Sequence, residues 1–270
     1  MSDPHLSILE SSGILTHLKV ADCLKRHGWS LTISSYYYDD VANLVKEIDI
    51  VAEKQFNSYE EAPGLSSRQL NIQLFIECKY INQEVSIWFD QMNRKRALST
   101  LEEEIGMVIA EHHSGDILPE ELHYLCAGKV VKLYSTNSNK EDLIYKAISQ
   151  CLRALVYYKQ WADAPISRKF NDHVEVQTKI IRYPVVVCGN FENIKEVEVD
   201  SETDKYSVKD LSEAFLLETN YVHLNKEKTA AQDNYFLVDF INVTHLNSFL
   251  ETINKEGRSL IKAMSFLSDR

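Results

Sequence analysis

Leu74-Phe75-Ile76-Glu77-Cys78-Lys79-Tyr80 is an apolar run with an acid and a base set into it, and its reading decides the fold. A short apolar run of this kind predicts a buried strand. A carboxylate inside one costs roughly several kcal/mol of desolvation unless it is paired or holds a metal. Upstream, Glu47-Ile48-Asp49-Ile50-Val51-Ala52 repeats the pattern. Side chains two apart on a strand share a face. That parity puts Phe75, Glu77 and Lys79 on one face, and Leu74, Ile76, Cys78 and Tyr80 on the other. It likewise sets Glu47, Asp49 and Val51 against Ile48, Ile50 and Ala52. If the two strands pair, their carboxylates meet at one end of a sheet with an ammonium beside them. Oxygen donors with open positions suit Mg²⁺, and Mn²⁺ after it. Such an ion polarises a phosphodiester and lowers the pKa of a bound water.

Working outward, a helix is expected from about Ile8 to Arg26, closed by His27-Gly28-Trp29 and followed by a strand, Ser30-Leu31-Thr32-Ile33. Tyr36-Tyr37-Tyr38-Asp39-Asp40 comes next, and then the two acidic strands. This order, with Asp49 and the Glu77-Cys78-Lys79 triplet on the second and third strands, resembles the PD-(D/E)xK nuclease superfamily, the restriction-endonuclease-like fold. The resemblance covers roughly the first 160 residues. It implies that Asp49 and Glu77 bind the metal, that Lys79 supports the attacking water, and that DNA is the substrate. A restriction or defence role fits that implication. Glu47 is a possible auxiliary by shared face. Relatives often carry a further acid on the first helix; here His17 stands at that place, and Glu10 is the nearest acid. Relatives can also carry a Gln on the helix behind the sheet, for which Gln150 is the candidate.

The expected fold class is α/β: a restriction-endonuclease-like mixed central sheet flanked by helices, with an insertion and extra C-terminal strands. One nuclease-like domain spans 1–270, with its core at about 6–83 and 140–190, an insertion at 84–139 and a C-terminal extension at 191–270. A polar connection from Asn57 to Arg68 turns at Pro63-Gly64. The insertion reads as mixed and polar, with a helix at Leu98 to His112 and a strand at Lys129 to Tyr134. A helix from Lys140 to Trp161, capped by Asn139, shows helical apolar spacing at Leu143, Ala147, Cys151 and Leu155. Tyr183-Pro184-Val185-Val186-Val187-Cys188-Gly189 reads as a strand buried on both faces. Residues Glu192 to Asp204 read as an acidic loop. Strands at Asn220 to Leu224 and Tyr235 to Val243 are expected to enlarge one edge of the sheet. Two helices, Leu246 to Lys255 and Leu260 to Leu267, close the chain.

With 44% apolar and 26% charged residues the composition is that of a soluble globular protein. No apolar run is long enough to span a membrane, and the N-terminus shows no signal peptide. Five scattered cysteines without zinc-ligand spacing predict a reduced, cytoplasmic protein. The net charge of −11 runs against the basic footprint usual in nucleic-acid binders. Local basic clusters offset it: Lys19 with Lys25 and Arg26; Arg94-Lys95-Arg96; and Arg153, Lys159, Arg168 and Lys169. Each of these also reads as a solvated helix face.

Glu111-His112-His113-Ser114-Gly115-Asp116 offers imidazole and carboxylate groups, though the run also reads as a surface helix end. A hydrolase built on His112 is a minor alternative. No Gly-x-Ser-x-Gly elbow, Walker loop or dinucleotide fingerprint is present. Tyr36-Tyr37-Tyr38 suits either base stacking or a strand core. Three readings stay open for the acidic strands. The leading one is a Mg²⁺-dependent DNA endonuclease, with duplex DNA favoured and a homodimer suited to cutting both strands. The second is a catalytically inactive module of the same fold that binds nucleic acid or protein. The third is a pair of edge strands with ordinary surface charges.

Overall fold

The computed structural model describes residues 13–58, 68–105, 122–136, 142–161, 177–200, 202–224 and 230–266. Helix α1 (Ile14–Arg26) ends where Gly28 takes a φ of 74°. The Trp29 N–H then reaches the Leu24 carbonyl at 3.1 Å and the Gly28 N–H reaches Lys25 at 3.0 Å, a Schellman closure. That closure turns the chain into β1 (Ser30–Asp39), which pairs antiparallel with β2 (Leu44–Ser58). Strand β3 (Arg68–Lys79) pairs antiparallel with β2 and parallel with β6 (Gln177–Cys188). Asn57 and Arg68, expected in the polar connection, thus lie in strands. Between β3 and β6 come β4 (Val85–Gln91), α2 (Arg94–Ile105), α3 (His123–Cys126), β5 (Lys129–Thr136) and α4 (Leu143–Trp161). The chain continues through β7 (Ile194–Asp200), β8 (Lys205–Asp210), β9 (Ala214–Leu224), β10 (Ala231–Asn242) and α5 (Leu246–Phe266).

All ten strands join one mixed sheet in the order β1-β2-β3-β6-β10-β9-β5-β4-β7-β8, so the architecture is α/β with a large mixed sheet. Its two faces are covered unequally. Val20 and Leu24 of α1, Leu101 of α2, Leu125 of α3 and Leu250 and Ile253 of α5 pack on Ile50, Ile72, Leu74, Ile76 and Val187. On the other face α4 sets Ala147, Cys151 and Leu155 against Phe75, Val186 and Phe240. The alternating burial of Leu74, Phe75 and Ile76 on opposite faces follows from the strand period of two. Pro184 lies within β6, yet the β10 ladder begins only at Val185, one residue past the missing N–H.

Four sequence expectations are corrected here. The C-terminal strands do not enlarge one edge: β10 and β9 stand in the interior of the sheet, and β7 and β8 close its far side. The acidic stretch after Glu192 is a strand pair, with β7 held by β4 and β8 through ladders that side-chain charge does not disturb. The closing helices are one, α5, running through Gly257. A Cβ at Gly257 would stand 2.5 Å from the Phe56 ring, so the glycine serves close packing rather than a break. The first turn of α4 is capped by Asp142, whose Oδ1 accepts from the Tyr145 N–H at 3.0 Å; Asn139 lies outside the described residues. So do Glu10, Arg168, Lys169 and the run Glu111 to Asp116.

The parity assigned to β2 also fails, at one point. Ser34 adopts a φ of 55°, and the Ser34/Asp49 step is missing from an otherwise continuous β1–β2 ladder. On one side of it, Ile50 and Ala52 pack on the α1 face; on the other, Tyr37 and Ile48 pack on the α4 face. A left-handed residue turns the chain about its axis, so the face that was inward becomes outward. Past this step the hairpin folds over α4, with Arg153 donating to Asp39 at 2.6 Å and Lys46 pairing with it at 2.9 Å.

Candidate active site

Asp49 sits at this turnover and Glu77 at the matching point of β3. The β2–β3 ladder ends at Ile50↔Ile76, so both acids stand one step beyond it, where the strands are free of each other. Asp49 reaches across the gap, and its Oδ2 accepts the Cys78 N–H at 2.7 Å. Glu77 is 1% exposed. Its Oε1 takes the Lys79 ammonium, while its Oε2 is buried without a hydrogen-bond partner. The three residues expected to meet therefore do meet.

The electrostatics follow from two acids sharing one base. Burial, with the Asp49 carboxylate adding to it, pushes Glu77 up to about 7 against the pull of Lys79. Lys79, drawn down by burial, is held above its ordinary value by Glu77 and then Asp49. The Lys79 ammonium pairs directly with Glu77, and the nearby Asp49 charge adds to its hold.

The auxiliary residues divide. Thr16 stands against Gly189, where a Cβ would meet its Oγ1 at 2.9 Å, and the Gly189 N–H donates to the Lys79 carbonyl at 3.0 Å. His17, the next residue on α1, carries a buried Nε2 with no partner. Gln150 of α4 carries a buried Oε1 with no partner. Its neighbour Cys151 donates to the Val185 carbonyl at 3.3 Å, and burial, with Glu77 beside it, raises the thiol well above its ordinary value. Glu47 does not assist: it is exposed, opposite Tyr36 and beyond the turnover that cancels its parity with Asp49. Among the basic clusters, Lys19, Lys25 and Arg26 are exposed on α1, whereas Arg153 and Lys159 are engaged by Asp39 and Glu104. Tyr37 is buried against Tyr157, leaving Tyr36 and Tyr38 exposed.

A divalent cation would find an all-oxygen donor set here, one carboxylate from each strand, with Glu77 Oε2 lacking any other partner. Among the described residues, no group of three or more His, Cys, Asp or Glu is placed to hold a metal, so further positions would fall to water and substrate oxygens.

A second buried acidic cluster escaped the sequence reading. His123 of α3 lies between Glu256 of α5, 2.6 Å from Nδ1, and Asp239 of β10, 3.3 Å from Nε2. Tyr183 donates to the other Glu256 oxygen at 2.8 Å. Burial opposes charge on His123, but Glu256 and Asp239 outweigh it and lift the imidazole to about 10. The Asp239 signal was the same as that of Asp49, an acid in the apolar run Phe236-Leu237-Val238-Asp239-Phe240. Among the described residues no helix is long and apolar enough to cross a membrane. Comparison of the chain with known protein families, curated proteins and solved structures gives no match.

Proposed function

We propose that the chain is a metal-dependent endonuclease that hydrolyses DNA phosphodiester bonds at the Asp49, Glu77 and Lys79 site. The observation that carries this reading is Glu77: a buried carboxylate beside a second acid, with one oxygen unpartnered and a pKa pushed to about 7. Stability alone gives no reason to keep such a group, and perturbed acids of this kind concentrate at functional sites. Asp49 and Glu77 would hold Mg²⁺ or Mn²⁺, which when bound would supply Lewis-acid polarisation of the phosphoryl oxygens and a more acidic water. Lys79 orients the attacking water and offsets negative charge gathering on the phosphate. Asp49 is aimed by the Cys78 N–H, which fixes one of its oxygens and leaves the other to ligate.

Glu77→Ala and Lys79→Ala should each lower Mg²⁺-dependent cleavage of duplex DNA by at least about a hundredfold, with far-UV circular dichroism unchanged. Full cleavage in both variants overturns the assignment. A second reading, an inactive module of the same fold, is favoured by the Lys79 ammonium, which already neutralises Glu77 Oε1. It requires that Mg²⁺ leave the thermal midpoint of the wild type where it was.

A further inference from the structure

The ten-stranded sheet is nearly two. Strands β5 and β9 share a single ladder pair, Val131↔Leu217, and then part. Beyond that pair β9 bonds only to β10, and β5 only to β4, so the two backbone edges face each other across a fork with no ladder between them. Helix α4 roofs the fork, and a cavity of about 400 Å³ opens there. That volume lies in the range of small-molecule sites.

Its walls carry aromatic rings, and its charges are already paired. Tyr134, Tyr145 and Tyr221 line it from three different elements, with Ser149, Arg153 and Thr219 between them. Lys132 is bound by Glu218 across the fork, and Arg153 by Asp39. A polyphosphate would find no free cation among these. Arg153 Nε is buried without a hydrogen-bond partner, and past Val131 and Leu217 the edges of β5 and β9 face each other with no ladder between them. A hydrocarbon ring would leave those groups unpaired, at a cost of about 1–3 kcal/mol each. At the mouth, Val41, Tyr145 and Val222 are 62, 60 and 58% exposed. All three of these open side chains border the cavity.

We propose that this fork binds a nucleobase, its ring held against the tyrosines and its polar edge read by Arg153 and the unpaired strand backbone. Aromatic walls accept any base through its π-face, and a base carries the mixed donor and acceptor edge that the fork requires. The base is either that of a free nucleoside or one unstacked from a single strand. The site does not depend on the phosphodiesterase reading: Glu77 lies against Cys151, which is not among the residues lining the cavity.

The test is calorimetric titration of the full chain, without divalent metal, with each common nucleoside, with single-stranded tetranucleotides of each base, and with inorganic phosphate. Saturable binding of a nucleoside or a tetranucleotide is expected, with none by phosphate. Binding by nucleosides marks the free ligand as the source, and binding by tetranucleotides alone marks the strand. Tyr145→Ala, at an exposed position, should weaken binding about tenfold, and Thr219→Trp, which fills the fork, should abolish it. Glu77→Ala should bind like the wild type even if it no longer cleaves. Absence of binding by every nucleoside and tetranucleotide overturns the proposal, as does binding that Tyr145→Ala leaves intact or that phosphate displaces.

Discussion

Among the described residues two acidic clusters are buried, and they are finished differently. Around His123, each imidazole nitrogen meets a carboxylate, Tyr183 donates to the remaining Glu256 oxygen, and the four elements α3, β6, β10 and α5 are tied together. Around Glu77, one oxygen of the deepest acid has no partner, and the ladder that could have enclosed it stops one residue short. The first cluster satisfies its own groups, whereas the second, at the end of a strand pair, keeps a buried acceptor unpaired. The difference is set by backbone. Asp239 lies inside the continuous ladder to β9 and opens the one to β6, whereas Asp49 lies at the one step that the β1–β2 ladder omits.

The comparison breaks most readily at His123. His123→Ala leaves Asp239 and Glu256 buried without their cation, and should cost about 3–5 kcal/mol in urea unfolding. The imidazole is raised to about 10 from 6.5. Its contribution is therefore fully present below the unfolded value and lost as pH rises through the folded one. A loss under about 1 kcal/mol would show that this cluster is no more structural than the other.

Glu77 should lose its contribution in the same direction, over a lower pH range. Its folded pKa of about 7 lies above the ordinary 4.5, so protonation favours the fold at acid pH. That advantage is lost as pH rises through the folded value. Glu77→Gln should then match the wild type near pH 4 and exceed it by about 3 kcal/mol near pH 8 in denaturant unfolding. Mg²⁺ should raise the wild-type thermal midpoint near pH 8 and not that of the variant. A variant less stable than the wild type at alkaline pH would place Glu77 with the structural acids.

The smallest effect sharpens the boundary between the clusters. Gly257 adjoins Glu256 and faces the Phe56 ring of β2. Alanine ordinarily gains about 1 kcal/mol over glycine within a helix. Here the Cβ must displace that ring, and Gly257→Ala should lose about 1–3 kcal/mol in thermal unfolding. The Mg²⁺ response of the Glu77 site should be unaltered. A gain in stability would mean that Phe56 yields at little cost.

Much of this was legible in the chain. Apolar runs marked β2, β3, β6 and β10, and Gly28 marked the end of α1. The acid-in-strand pattern led to Asp49 and Glu77, and applied to Phe236 through Phe240 it leads to Asp239 as well. Strand β4 went unread inside the polar insertion, although Val85 and Ile87 alternate with Ser86 and Trp88 and are both buried. Glu256 was hidden because Gly257 reads as a break when the partner ring is unknown. Glu47 was misplaced because parity assumes an unbroken strand, and nothing local announces that Ser34 takes a positive φ.

The sequence by itself determined which segments become strands and helices and which acids lie in apolar surroundings, because periodicity and desolvation are properties of the local chain. Tertiary structure alone decided where the ladders stop, which strands neighbour which, and which buried acid is left with an open oxygen. Those outcomes depend on contacts between residues up to a few hundred positions apart, such as Cys23 with Asn247, and no local pattern encodes them.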